Sequence, residues 1–274
     1  MTQISKSTFN TLYVDSSGTF LDNSTGQISE GDMRQFADDI SDSASWYDDV
    51  RNTDTTYFEQ QDFIFSTDTA PWDVQASGAS AAISSVAYGV DSTEKAFGVI
   101  QLSTGSDTTG RCSIARGPSQ IFFGNHGSAL VLRYRVALSA LSDGTDTYTA
   151  YIGFGDGGGA GGDNNDGAYF RYTHSVNSGE FEAVTAKGGA RTATDTNVAA
   201  ATTYKILEIR VNAAGNSVTF YIDGALVATN TTNIPDTISN LCGFLVKIEK
   251  SAGTTARILY IDWFDFNLSR TTAR

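Results

Sequence analysis

With two cysteines, two histidines and three prolines among 274 residues, the chain has little of what several kinds of chemistry require. Cys112 and Cys242 sit in strand-like runs far apart, without metal-ligand spacing around either, so two buried free thiols are the expectation and a disulfide the alternative. His126 in GNHGS and His174 in RYTHS lack an H-x-x-H or H-E-x-x-H context, and no G-x-S-x-G turn occurs, which leaves zinc and nucleophilic-serine chemistry without support. No apolar run approaches the length of a membrane span, and no secretory apolar region opens the sequence, so the chain reads as made in a cytoplasm without export. Basic residues are also scarce. Lys and Arg number 18 against 31 Asp and Glu, a net charge of -13 that repels nucleic acid and anionic membranes alike.

That charge is uneven. Residues 1–68 carry 13 acidic and 3 basic side chains, a net of -10, and the remainder carries -3. Within the acidic part, STGQISEGDMRQFADDISDS offers Ser29 as a helix cap with Asp32 three residues on, an S-x-x-D variant of the capping box. Met33, Phe36, Ala37, Ile40 and Ala44 follow at three- and four-residue intervals, which predicts a helix of about 16 residues with one apolar stripe. A single stripe cannot form a core by itself. Met33, Phe36 and Ile40 are therefore the candidate interface residues, packing on the next domain, on symmetry copies or on a partner.

After about residue 60 the hydrophobic period becomes two. In ALVLRYRVAL, Leu130, Leu132, Tyr134, Val136 and Leu138 share one face; KILEIRVN and GFLVKIEK repeat the device, the latter with Phe244, Val246 and Ile248 inward and Lys247 and Glu249 outward. VIQL, CSIA, QIFF, YTAYIGF, AYFRYTH and EFEAVT are further strand candidates. ILYIDWFDF is apolar on both faces, Leu259, Ile261 and Trp263 on one and Ile258, Tyr260, Phe264 and Phe266 on the other, as a mid-sheet strand would be. NSVTFYIDGALVATNTTNIP reads as a hairpin: Val218, Phe220 and Ile222 alternate with polar residues, and Asp223-Gly224 supplies a primed turn that sets Ala225 beside Ile222 and Val227 beside Phe220. Roughly a dozen such runs predict a mainly β fold of two antiparallel sheets packed face to face. The division expected is 1–60, a helical attachment or oligomerisation segment, and 61–274, a sandwich.

Four stretches invite a functional reading. GFGDGGGAGGDNNDGAYF begins like a calcium-binding nonapeptide at GGAGGD but has Asn165 where an apolar residue belongs; it also breaks the EF-hand ligand series and lacks the Lys-Ser/Thr of a phosphate-binding loop. Asp156, Asp163 and Asp166 are its candidate cation ligands, against an exposed flexible loop. Glu180 and Glu182 share a strand face at a spacing a glycosidase pair could use, against ordinary solvated glutamates. Tyr221 with Leu226, and Trp72, are candidate sugar-stacking surfaces, against packing inside the fold. No cofactor is indicated.

SVTFYIDGALVAT with the closing YIDWFDF strand resembles the concanavalin A-like, laminin-G-like jelly roll over about residues 65–268. TTGRCSIARG, YTAYIGFGDG, GAYFRYTH and KSAGTTARILYIDWFDF are similar to segments of bacteriophage structural and fibre proteins with this domain, and TFLDNSTGQISEGDMRQFADDISDS is similar to the short helical segment that opens phage appendage proteins. The E-x-D-x-E run of jelly-roll glucanases and the legume-lectin metal cluster are both missing. The resemblance implies a non-enzymatic virion component: a head decoration, head fibre or short tail appendage, forming homo-oligomers (a trimer by preference), attached to other capsid or tail proteins and touching host-surface glycans. A carbohydrate-binding module, or a polysaccharide hydrolase or lyase on the same frame, is the alternative.

Overall fold

A computed structural model describes residues 56–62, 72–85, 98–124, 127–157 and 161–270, which from Tyr57 onward belong to one unit running to Arg274. The helix expected around Met33, Phe36 and Ile40 lies outside the described residues, as does His126. In chain order the strands are β1 (Thr56–Asp62), β2 (Asp73–Ser77), β3 (Ala82–Ser85), β4 (Ile100–Ser103), β5 (Arg111–Ile121), β6 (Ser128–Leu138), β7 (Tyr148–Gly155), β8 (Gly167–Thr173), β9 (Glu180–Lys187), β10 (Ala190–Ala199), β11 (Lys205–Val211), β12 (Val218–Ile222), β13 (Ala225–Asn230), β14 (Cys242–Lys250) and β15 (Ile258–Arg270). They form two antiparallel sheets. Sheet I runs β13-β12-β11-β6-β15-β4-β3, with β1 also on β15; sheet II runs β10-β9-β8-β7-β14-β5-β2. This is the two-sheet antiparallel sandwich that the alternation predicts, in the jelly-roll form that the resemblance implies.

The inward faces are those read from the sequence. Leu130, Leu132, Tyr134, Val136 and Leu138 of β6, Leu207, Ile209 and Val211 of β11, and Phe244, Val246 and Ile248 of β14 all enter one core. Burying a side chain of this size stabilises the fold by about 1.5–3 kcal/mol. Aromatic rings join the sheets at its centre: Phe244 of sheet II lies 5.0 Å from Phe264 and 4.8 Å from Phe266 of sheet I, centroid to centroid. Trp72 packs edge-on at 5.1 Å against Phe264 and is 6% exposed, so it is a core residue and not the sugar platform considered above.

Two bulges alter the expected phase. β15 does lie in mid-sheet, but its register shifts between Ile261 and Trp263, so Leu259, Ile261, Phe264 and Phe266 all point into the core and Trp263 is left half-buried on the other face. In the hairpin, Asp223 (φ 50°) and Gly224 (φ 83°) make the primed turn and Ala225 faces Ile222, as predicted. A register shift after Phe220, however, brings Ala228 rather than Val227 opposite it. β10, whose ARTATDTNVA has few apolar side chains, escapes the alternation rule because it is an edge strand with little to bury.

Cys112 pairs with Ile248 of β14 while Cys242 begins that strand opposite Ile121. Six residues at about 3.3 Å each separate the two positions by about 20 Å, far beyond disulfide reach. Both thiols are free and buried, and burial pushes Cys112 up to about 11.

The edges β13 and β10 lie against each other and are joined by Asn230, which accepts from Thr194 Oγ1 (2.7 Å) and donates to the Ala183 carbonyl (3.1 Å). Asn230→Ala leaves buried partners unsatisfied and is expected to cost about 1–3 kcal/mol in urea unfolding. Tyr134 shows the opposite case: its hydroxyl is buried without a hydrogen-bond partner beside the Phe264 ring. Tyr134→Phe is expected to leave stability unchanged or raise it by up to about 1 kcal/mol on the same assay.

Candidate functional site

Because β14, β7, β8 and β9 turn one face inward, their alternate residues build a second surface on the outside of sheet II. Lys247 and Glu249 come from β14, Tyr151 from β7, Tyr169 and Arg171 from β8, and Glu182, Val184 and Ala186 from β9. Cross-strand pairing sets Lys247 beside Tyr151 and Arg171 beside Glu182. Tyr151 and Tyr169, with centroids 5.9 Å apart, form a small apolar floor with Val184 and Ala186, separate from the main core. The sequence pattern places Lys247 and Glu249 outward, which is right, but it does not show that this face is covered: Lys247 and Tyr169 are both 0% exposed.

The cover is the end of the glycine-rich stretch, residues 161–166. Lys247 Nζ donates to the Gly162 carbonyl at 2.5 Å and stands 4.4 Å from the Tyr151 ring centroid. Burial lowers its pKa, and the nearby Glu249 carboxylate opposes that. Gly162 N–H donates to Glu249 Oε2 at 2.8 Å. Arg171 donates to Asp163 at 2.6 Å and to Glu182 at 2.8 Å; burial alone would lower its pKa, but the two carboxylates outweigh burial and hold it above the usual arginine range. Arg191 forks onto the Asn164 carbonyl at 3.1 and 2.8 Å.

The three aspartates proposed for a cation thus serve three separate ends. Asp156 caps the Asn165 N–H, Asp163 receives Arg171, and Asp166 accepts from Gly188 N–H and Asn240 Nδ2. Among the described residues no group of three or more potential ligands converges on one point. The glutamates also part company. Glu182 is buried under Arg171, whereas Glu180, at the start of β9, is opposite Ala199 of β10 and its carboxyl meets that of Asp195 across the register shift. Desolvation and the hydrogen-bonded Asp195 carboxyl raise the Glu180 pKa.

Sheet I also has a built outer face. Arg133 is bound to Glu208 and reaches Asp265, Arg135 is bound to Asp262, and Arg210 is bound to Glu208. The Arg210 guanidinium lies 4.2 Å from the Tyr221 ring centroid. Tyr221 faces Leu226 directly across the hairpin, as the sequence predicts, and Leu226 is 57% exposed. Thr219 and Thr229 pair alongside them on the same face. Here a half-buried aromatic ring under Arg210, an exposed aliphatic side chain and two threonine hydroxyls stand together.

Sandwich topology and paired outer faces define a concanavalin A-like, lectin-like jelly roll. More narrowly, the chain belongs to the SO2946-like, C-terminal domain family, whose pattern matches residues 95–262. It is similar to the structure of a protein of unknown function, SO2946, from Shewanella oneidensis MR-1, with a TM-score of 0.58 and 17% identity over 80% of this chain and 89% of that one. Peanut lectin, solved with a 9-residue peptide, gives 0.55 and 13% over 79% and 99%. An endo-1,3-β-glucanase from Streptomyces sioyaensis gives 0.51 and 13% over 78% and 97%. No curated protein matches by sequence. At these identities the likenesses establish the fold.

The Glu180–Asp195 contact is testable. A folded-state pKa raised above the unfolded value means that the contact favours folding at low pH and opposes it once pH rises through the raised value. Glu180→Gln is therefore expected to raise the melting temperature at neutral pH, with the gain disappearing below about pH 4 where the carboxyl is protonated in both states. Melting curves across that range check it.

Proposed function

We propose that this chain is a non-catalytic component of a bacteriophage virion, a head decoration, head fibre or short tail appendage, whose jelly roll touches glycans on a host surface. The observation that carries the glycan half is the open Arg210–Tyr221–Leu226 face, where a half-exposed ring and an exposed aliphatic side chain sit among hydroxyls. Such a surface suits the apolar side and hydroxyl rim of a sugar ring. The non-catalytic half is supported by the fate of the outward carboxylates. Hydrolysis needs two carboxyl groups facing one bond; Glu182, Asp163 and Glu208 are instead held by arginines, and Glu180 and Asp195 are in direct contact with each other, with no space for a bond between them. The virion half is supported by the resemblance of TTGRCSIARG, GAYFRYTH and the closing strand to phage structural proteins, and by the acidic leading segment with its apolar stripe at Met33, Phe36 and Ile40. That stripe would join copies around a symmetry axis, a trimer by preference, or fasten the chain to a capsid or tail protein.

A glycan array probed with the full chain tests the reading. Binding is expected, and Tyr221→Ala is expected to weaken it about tenfold, equivalent to about 1.4 kcal/mol. Release of reducing ends from any polysaccharide on a broad panel would overturn the non-catalytic assignment, and binding indifferent to Tyr221 and Leu226 would remove the hairpin from it. Labelling the chain on purified particles tests its place in a virion.

A further inference from the structure

Cross-strand register lays the outer face of sheet I out in rows. Leu226, Tyr221, Glu208, Arg133 and Asp265 stand side by side from β13 to β15, and Thr229, Thr219, Arg210, Val131 and Asn267 form the next row. Neighbouring strands lie about 4.8 Å apart and the two rows about 6.8 Å apart. Arg210 is the one charged side chain of its row. It leans across to the other, where its Nε binds Glu208 and its guanidinium lies over the Tyr221 ring.

Two features of this arrangement point to a ligand. The first is charge. Glu208 is bound through Oε1 by Arg210 and through Oε2 by Arg133, so a single carboxylate serves two guanidiniums. The other acids of this face are engaged elsewhere: Asp265 meets Arg133 at 3.5 Å, Asp262 is bound to Arg135, and Asp223 holds Lys205 at 2.7 Å. Arg210 is left with positive charge that is only partly neutralised, on a chain whose net charge is -13. The second is hydrogen bonding. The Arg210 side chain is 47% exposed, and among the described residues its two Nη nitrogens have no hydrogen-bond partner. With Nε tied and the guanidinium 4.2 Å from the ring centroid, its orientation is fixed from two sides. The edge opposite Nε keeps an end-on pair of N–H groups, a fork that fits a carboxylate, and fixing it beforehand reduces the entropy lost on binding.

We propose that the glycan taken by this face is an acidic one, a uronate whose carboxylate binds the Nη edge of Arg210. The inference rests on the glycan reading given above and adds the charge of the sugar to it. Leu226 is placed for the apolar side of the same sugar, and Thr219 and Thr229, in the row of Arg210, for its hydroxyls. Arg210 selects the charge, and Tyr221 is the base on which Arg210 rests. A uronate is favoured over an acidic peptide because one cation flanked by hydroxyls and an aliphatic side chain matches one charge per sugar ring among hydroxyls.

Titration calorimetry of the full chain with oligogalacturonate and with its fully methyl-esterified form, equal in length and different in charge, tests this. The acid is expected to bind about tenfold more tightly than the ester, and Arg210→Gln to bring the two within about twofold. Arg210→Lys keeps the charge without the fork and is expected to leave a preference of about threefold. Arg133 still holds Glu208 in both variants, so both are expected to melt within about 2 °C of the unaltered protein. Equal binding of acid and ester, or a preference that survives Arg210→Gln, would overturn the inference and leave the glycan reading standing. Polyglutamate binding as tightly as oligogalacturonate would overturn the choice of a sugar. Silence of both oligosaccharides overturns the inference as well, and the glycan array decides whether the broader reading falls with it.

Discussion

The packing of Phe244 and Phe154 of sheet II against Phe264 and Phe266 of sheet I holds the two sheets at one spacing and in one register. A strand has only two faces, so fixing Phe244, Val246 and Ile248 inward also fixes Leu245, Lys247 and Glu249 outward, and a slip of one residue would exchange the sets. The same constraint acts on β15, where it has a local cost. Keeping Phe264 and Phe266 in the core after Ile261 requires the bulge at Asp262, and the bulge puts Asp262 where Arg135 can bind it. Core packing thus dictates which charges meet on the surface.

Both outer faces then follow a common rule. Three carboxylates that the alternation sends outward are met by arginines from the neighbouring strand: Glu182 by Arg171, Glu208 by Arg133, Asp265 by Arg133. Where a face is covered, as on sheet II, such pairing is what makes burial of charge tolerable. On the β12–β13 hairpin, by contrast, Tyr221 is half-buried beside the Arg210 guanidinium and Leu226 is 57% exposed. One sandwich therefore carries an open apolar-aromatic surface and a closed ionic one.

Much of this was legible in the residues. Strands with dense apolar alternation, β6, β11, β12 and β14, could be oriented correctly, since burial of every second side chain leaves a period that no other structure shares. The Asp223-Gly224 turn was equally plain, because few residue pairs tolerate two positive φ angles in succession. Illegible were the features that depend on distant partners. Trp72 looks like an exposed platform in APWD and becomes core only when Phe264 arrives from nearly two hundred residues downstream. Lys247 reads as a solvated lysine until the glycine-rich stretch crosses it. Bulges leave no mark in a pattern of two, and the edge strand β10 buries too little to print one.

The joint between β10 and β13 bears on how copies of the chain can associate. Exposed sheet borders invite a neighbouring molecule to add a further strand, the route to uncontrolled fibrous growth. Here Thr192, Asn230, Thr232 and Asn233 knit the two borders to each other, with the Asn230 amide also reaching the Thr192 carbonyl. That flank is thereby closed to lateral extension, and crowding many copies on one surface does not zip them together along it.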